Sequence, residues 1–160
     1  MNKTTSSVIA PAASCQVRFG SQTTSVEATS GVPVLRVALP VLAGTADERM
    51  LGETSEPVQG ADFTLFHAGT WLAGFAVAAV DVDLELAAGE LYRGLFAATA
   101  GLHLYRIWNY VPQINALAHG LENYRRFCRG RSLAFEEHFG RGFQRLLPAA
   151  SAVGSVAGPL

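Results

Sequence analysis

The chain has 160 residues, enough for one domain with a substantial core and too few for two full ones. A composition of 49% hydrophobic and 16% charged residues excludes an intrinsically disordered chain, and a net charge of −1 argues against a protein built to hold polyanions. The charge is unevenly spread: residues 121–145 gather Arg125, Arg126, Arg129, Arg131, Arg141 and Arg145 against Glu122, Glu136 and Glu137. A local basic cluster in an otherwise acidic chain suits a small anionic ligand and points away from nucleic acid.

Cys15 and Cys128 are far apart and fit no metal spacing, so they read as free thiols in a reducing cytoplasm. Val8-Ile9-Ala10 is stopped by Pro11, too short for a signal-peptide core. The longest apolar run, Trp71 to Val80, is about half of a bilayer span. The expectation is a soluble, cytoplasmic protein without a membrane partner.

Residues 1–31 are rich in Ser, Thr, Ala and Gly and are expected to be mostly mobile, with room for one edge strand at Val17 to Phe19. The domain proper is expected over 32–160. Val32 to Leu42, aliphatic and β-branched, reads as a first buried strand, and residues 44–60 read as a loop. Asp62 to His67 and Trp71 to Ala78 flank Ala68-Gly69-Thr70 as a hairpin. Asp81-Val82-Asp83 places acids where a helix N-terminus favours them, and Leu84, Ala87, Ala88, Leu91, Leu95 and Ala98 recur at helical spacing until Gly101. His103 to Tyr110 follows as a strand. Leu121 opens a second helix that runs to Phe139, with Gly140 as its stop. Leu146 to Val153 starts a further strand, which the end of the chain cuts short. This order predicts an α+β fold with both helices on one face of a sheet. Incomplete strands would leave open edges through which copies of the chain associate.

The second helix carries the chemistry. At about 100° per residue, Tyr124, Phe127, Cys128, Arg131, Phe135 and His138 share one face, while Arg125, Arg126 and Arg129 point elsewhere. A guanidinium inside an aromatic stripe needs a partner. Arg131 either grips a ligand carboxylate, snorkels past the stripe, or pairs with an internal acid. His103 and His138 are generic acid–base groups with packing roles as the simpler reading. Asn109 and Asn115, around a strand end, either bind a ligand or close a turn. The sequence holds no Gly-rich phosphate loop, no metal-spaced His/Cys set and no Gly-x-Ser-x-Gly elbow.

Three runs carry a family resemblance: Arg-Ile-Trp-Asn-Tyr-Val-Pro-Gln-Ile-Asn at 106–115, Glu-Asn-Tyr-Arg-Arg-Phe-Cys-Arg-Gly-Arg at 122–131 and Leu-Pro-Ala-Ala-Ser-Ala-Val-Gly at 147–154. In this order they resemble the chorismatase family, and Val-Arg-Phe-Gly at 17–20 and Leu-Arg-Val-Ala-Leu-Pro at 35–40 extend the resemblance over roughly residues 15–160. The resemblance implies a YjgF/Rid-like (chorismate mutase-like) domain, the first of two in such enzymes. It further implies cleavage of chorismate to pyruvate and a hydroxybenzoate or a dihydroxycyclohexadiene carboxylate, a hydrolase or lyase reaction of secondary metabolism with no metal or organic cofactor. It places Arg131, Tyr124, Asn109 and Asn115 at the substrate, with Arg131 on a carboxylate, and puts the general acid in the missing C-terminal domain, so no catalytic residue is assigned here. Ordinary YjgF/Rid proteins carry Pro-Ala-Arg-Ser where this chain has Pro148-Ala149-Ala150-Ser151, which counts against the alternative of a stand-alone imine deaminase. A non-catalytic module that binds a small carboxylate or serves assembly is the other alternative.

Overall fold

Alternating apolar positions build four short sheets around two helices in the computed structural model, which describes residues 13–78, 83–156 and 158–160. Strands β1 (Gln16–Phe19), β2 (Ser25–Thr29), β3 (Val32–Val37) and β4 (Asp47–Arg49) pair in the order β2-β3-β1-β4, with β1 parallel to β3. Ser30 and Gly31, both at positive φ, fold β2 back onto β3 as a tight hairpin requires. A second sheet holds β5 (Val58–Gly60), β6 (Phe63–Ala68) and β7 (Trp71–Phe75), whose hairpin turns at Gly69 as the sequence predicts. Val17, Leu35 and Val37 meet Phe66 and Phe75 in one core cluster between these sheets.

Two expectations change here. The segment expected to be mostly mobile contains, from residue 13 onward, β2 as well as the strand expected at Val17 to Phe19, which is β1 and lies inside the sheet instead of at its edge; residues 1–12 lie outside the described residues. Val17 and Phe19 face the core from β1, an alternation too short to tell an interior strand from an edge strand. The expected loop 44–60 contains β4 and β5, three residues each and largely exposed, held by pairing to β1 and β6.

Helix α1 (Leu84–Ala98) starts at Asp83, whose carboxylate accepts from the backbone N–H groups of Glu85 (2.9 Å) and Leu86 (3.4 Å). Asp81 and Val82, also expected at this start, lie outside the described residues. Ala88, Tyr92 and Phe96, spaced by four, are buried, whereas Leu91 and Ala98 of the expected stripe are half-buried, so the inner face is rotated toward the aromatic residues. Strand β8 (Arg106–Pro112) leads through the small hairpin β9 (Leu117–Ala118) and β10 (Leu121–Glu122) into α2 (Asn123–Phe139). The helix begins two residues later than expected because Leu121 and Glu122 pair with β9. A 3₁₀ turn, Phe143–Leu146, precedes β11 (Ala149–Ser155), which runs parallel to β8.

Both helices bury their stripes in one cluster with Ile107, Val111 and Ala152, so they share one side of the β8–β11 pair. The result is a mixed α+β fold with two helices and several sheets where the sequence suggested one. Among the described residues no helix is long and apolar enough to cross a membrane.

The helices approach closely at Gly89 and Gly130. A Cβ at Gly130 would stand 2.0 Å from the carbonyl oxygen of Glu85 and 3.1 Å from the Gly89 nitrogen, and both are backbone atoms that cannot swing aside. Gly130→Ala is expected to part the helices and to cost about 1–3 kcal/mol or more, in the range of overpacked cores. Thermal unfolding checks this against Gly52→Ala, where the added methyl meets nothing within 4 Å and the melting temperature should hold.

Candidate functional site

Helix α2 buries part of the face its spacing suggested, Phe127 and Phe135, but the buried strip is broader and reaches Arg126. Phe127, Gly130, Ala134 and Phe135 are buried, and so is Arg126, at 8% exposure. Arg126 was expected to point away; instead its Nη2 donates to the Asp83 carboxylate, and Nη1 reaches Asn123 Oδ1 at 3.5 Å. Asp83 therefore serves two helices, capping α1 and anchoring α2. Slight desolvation opposes ionisation of Asp83, but the two backbone N–H groups and the Arg126 charge outweigh it and hold the carboxyl below its ordinary range.

Arg131 takes none of the acid partners considered from sequence. Its guanidinium lies over two aromatic rings, 5.7 Å from the Tyr92 centroid and 5.5 Å from that of Phe135. Its Nε is buried with no hydrogen-bond partner among the described residues. The two rings hold the guanidinium by cation–π attraction, and its planar fork of donors is matched to a carboxylate.

Tyr92 was absent from the sequence-derived candidates, although its spacing of four from Ala88 and Phe96 would have found it. Its hydroxyl donates to Asn109 Oδ1 at 2.9 Å, and Asn109 Nδ2 donates to the Ser151 carbonyl at 2.9 Å. Burial raises the Tyr92 phenol, opposed by Arg131 and by the Asn109 bond. Asn109 thus ties α1, β8 and β11 together and sits behind the ring that supports Arg131.

Tyr124 is 44% exposed on the first turn of α2. The neighbouring Cys128 is the main cause that raises its phenol, ahead of burial, with Arg131 pulling the other way. Tyr124, Cys128 and Arg131 therefore form one neighbourhood, with Tyr92 beneath it. Asn115 is not brought into it by any contact among the described residues: it is exposed and lines a separate shallow recess of about 270 Å³ with Leu121, Glu122 and Arg125. His138 stacks on Phe96 at 4.7 Å, a packing arrangement, and His103 is exposed. Among the described residues no three His, Cys, Asp or Glu side chains gather as a metal site would need.

A family model described as "Chorismatase FkbO/Hyg5-like, N-terminal" matches residues 51–160. A curated chorismatase of Streptomyces hygroscopicus is 42% identical over 76 residues, an alignment spanning 45% of this chain and 22% of that protein. A chorismatase crystal structure at 1.08 Å superposes with a TM-score of 0.74 and 25% identity, covering 98% of this chain and 49% of that one. The chain thus spans about half the length of that solved relative.

The Asp83–Arg126 pair sets a pH dependence. A carboxyl whose folded pKa is depressed contributes stability that is fully present above its unfolded value, about 3.9. That contribution is lost as the pH falls through the lower folded value. Asp83→Asn keeps a capping oxygen and leaves Arg126 without its counter-charge, so it is expected to cost about 1–3 kcal/mol at pH 7. The gap between wild type and variant should close as the pH falls below the folded pKa of Asp83, as followed by thermal melts across the acid range.

Proposed function

The chain belongs to the FkbO/Hyg5-like chorismatase N-terminal family, and on that premise we propose that it forms the N-terminal, YjgF/Rid-like part of a cytoplasmic enzyme that cleaves chorismate. The products in this reading are pyruvate and either a hydroxybenzoate or a dihydroxycyclohexadiene carboxylate. The observation that carries it is Arg131, held over Tyr92 and Phe135, with its Nε lacking a protein acceptor among the described residues.

Chorismate carries two carboxylates, and Arg131 meets one of them through paired N–H donors. Tyr124, a neutral phenol at pH 7, donates its hydroxyl beside that position. Asn109 acts one step back, by fixing the Tyr92 ring, and Asn115 contacts substrate only from the separate recess. These groups bind and orient. Protonation of the enolpyruvyl methylene, which starts cleavage of the ether, needs a general acid, and that role is left to the second domain. The imine-deaminase alternative has Ala150 where an arginine would hold its substrate.

Chorismate titration of the purified chain, by calorimetry, checks the reading. Arg131→Ala is expected to weaken binding at least tenfold, Arg131→Lys to recover part of it, and Arg145→Ala to change nothing. Equal affinity of wild type and Arg131→Ala would sink the assignment. A coupled pyruvate assay then divides the outcomes: binding without release fits one wall of a site, and release above the spontaneous rate would place the general acid within these residues.

A further inference from the structure

On the face of the first sheet that turns away from the core, two arginines stand side by side. Arg18 and Arg36 are register partners of the parallel β1–β3 pair, with Asp47 opposite Arg18 on one flank and Ser25 opposite Arg36 on the other. Like charges directly opposite each other across strands are destabilising. The flanking acids relieve this only from outside: Asp47 takes the Nε of Arg18, and Glu27 Oε2 lies 2.6 Å from the Nε of Arg36. The second contact is poorly directed, since Arg36 Nε is buried and has no aligned hydrogen bond. Both guanidiniums are thus engaged by acids at Nε, and among the described residues their terminal nitrogens have no protein acceptor.

The pair opens into a recess of about 580 Å³, walled by the loop from Gly20 to Thr23. That loop is fixed in place. Gly20 N–H donates to Leu39 O (2.9 Å), Ser21 N–H to Val37 O (3.3 Å), and Ala38 N–H to Thr24 Oγ1 (3.2 Å). Gly158 packs against its far side, so closely that a Cβ there would stand 3.2 Å from the Thr24 nitrogen. A loop tied down by these hydrogen bonds and two half-buried guanidiniums make an open, shallow groove with part of its donors already ordered, which lowers the cost of ordering on binding.

We propose that this recess is a second anion site, which holds the carboxylate or phosphate group of a small molecule between Arg18 and Arg36. The terminal N–H groups of the two arginines supply the fork, with the Ser21 and Thr23 hydroxyls beside it. Asp47 and Glu27 balance the two cations, so attraction is short-ranged and selection comes from donor geometry rather than from a long-range field. The site lies on residues 18–36, outside the stretch matched by the family model, and is independent of Arg131.

The test titrates the full chain with inorganic phosphate and, separately, with malonate, against sodium chloride of matched ionic strength, following backbone amide resonances and melting temperature. Either probe is expected to give a saturable response centred on residues 18–23 and 36. The two probes separate a phosphate ligand from a carboxylate one. Arg36→Gln should weaken the response at least tenfold, while Arg131→Ala leaves it intact. Should Arg36→Gln fail to fold, Arg18→Lys and Arg36→Lys, which keep the charge balance and remove the fork, should each weaken it several-fold. No saturable response to either probe, wild-type affinity in both lysine variants, or loss of the response in Arg131→Ala would each overturn the proposal. Because its readout does not involve chorismate, its failure is separable from failure of the functional reading.

Discussion

The close crossing of α1 on α2 is the constraint from which the rest of the molecule follows. Two glycines let backbone meet backbone at the centre, with no room for a methyl at Gly130. At one end Asp83 holds both helices, by its cap to α1 and its ion pair to Arg126. At the other, Phe96 meets Phe135 at 4.9 Å and Phe139 at 5.2 Å, and Phe143 stacks on Phe135 at 5.8 Å. An apolar crossing alone would tolerate sliding, because aliphatic contacts are not directional. A charge pair at one end and interlocked rings at the other leave one register.

Arg131 follows Gly130, and Phe135 lies one turn further on, so the crossing dictates where the guanidinium can lie. Its support is connected to the sheet by a short polar chain from Tyr92 through Asn109 to the Ser151 carbonyl. Every bond in that chain is made, and a satisfied buried network rigidifies where a half-satisfied one would destabilise. The consequence for function is indirect but physical. A flexible arginine loses rotamer freedom when it grips a ligand, whereas one already lying on two rings has lost much of it in folding. In the proposed reading Asn109 acts on the site through the ring it orients, and a role of that kind is invisible in a motif.

Much of the architecture could be read from the chain. The hairpin at Gly69 and the Gly140 stop of α2 were legible, because each rests on local backbone chemistry. A strand at Val17 to Phe19 was legible too, but its interior place was not, because its two inward residues gain their meaning only from Leu35 and Val37 beside them and Phe66 across the core. The face of α2 was half legible. Spacing grouped Tyr124, Cys128 and Arg131 correctly, yet it placed Arg126 outside, since helical periodicity scores an arginine as polar and cannot foresee an acid waiting at a neighbouring helix N-terminus. Asn115 illustrates the opposite limit: six residues from Asn109 in a shared motif, it ends in a different recess because Gln113, at positive φ, turns the chain between them.

The same distinction applies to charge. Six arginines within 121–145 suggest a basic surface, but the fold disperses them. Arg126 is spent inside, Arg129 pairs with Glu85 of α1 at 3.3 Å, and Arg125, Arg141 and Arg145 are solvated. Exposed cations of that kind are screened within roughly 8–10 Å at ordinary salt and add little to binding. What remains for an anion is the guanidinium with unused, directed donors on a rigid support. By that criterion Arg131 qualifies within the cluster, and Arg18 with Arg36 qualifies outside it, in a stretch whose summed charge gives no hint of it. Under both proposals, anion recognition would be decided by which donors the packing leaves unspent, and that quantity is set by tertiary contacts rather than by the count of basic residues along the chain.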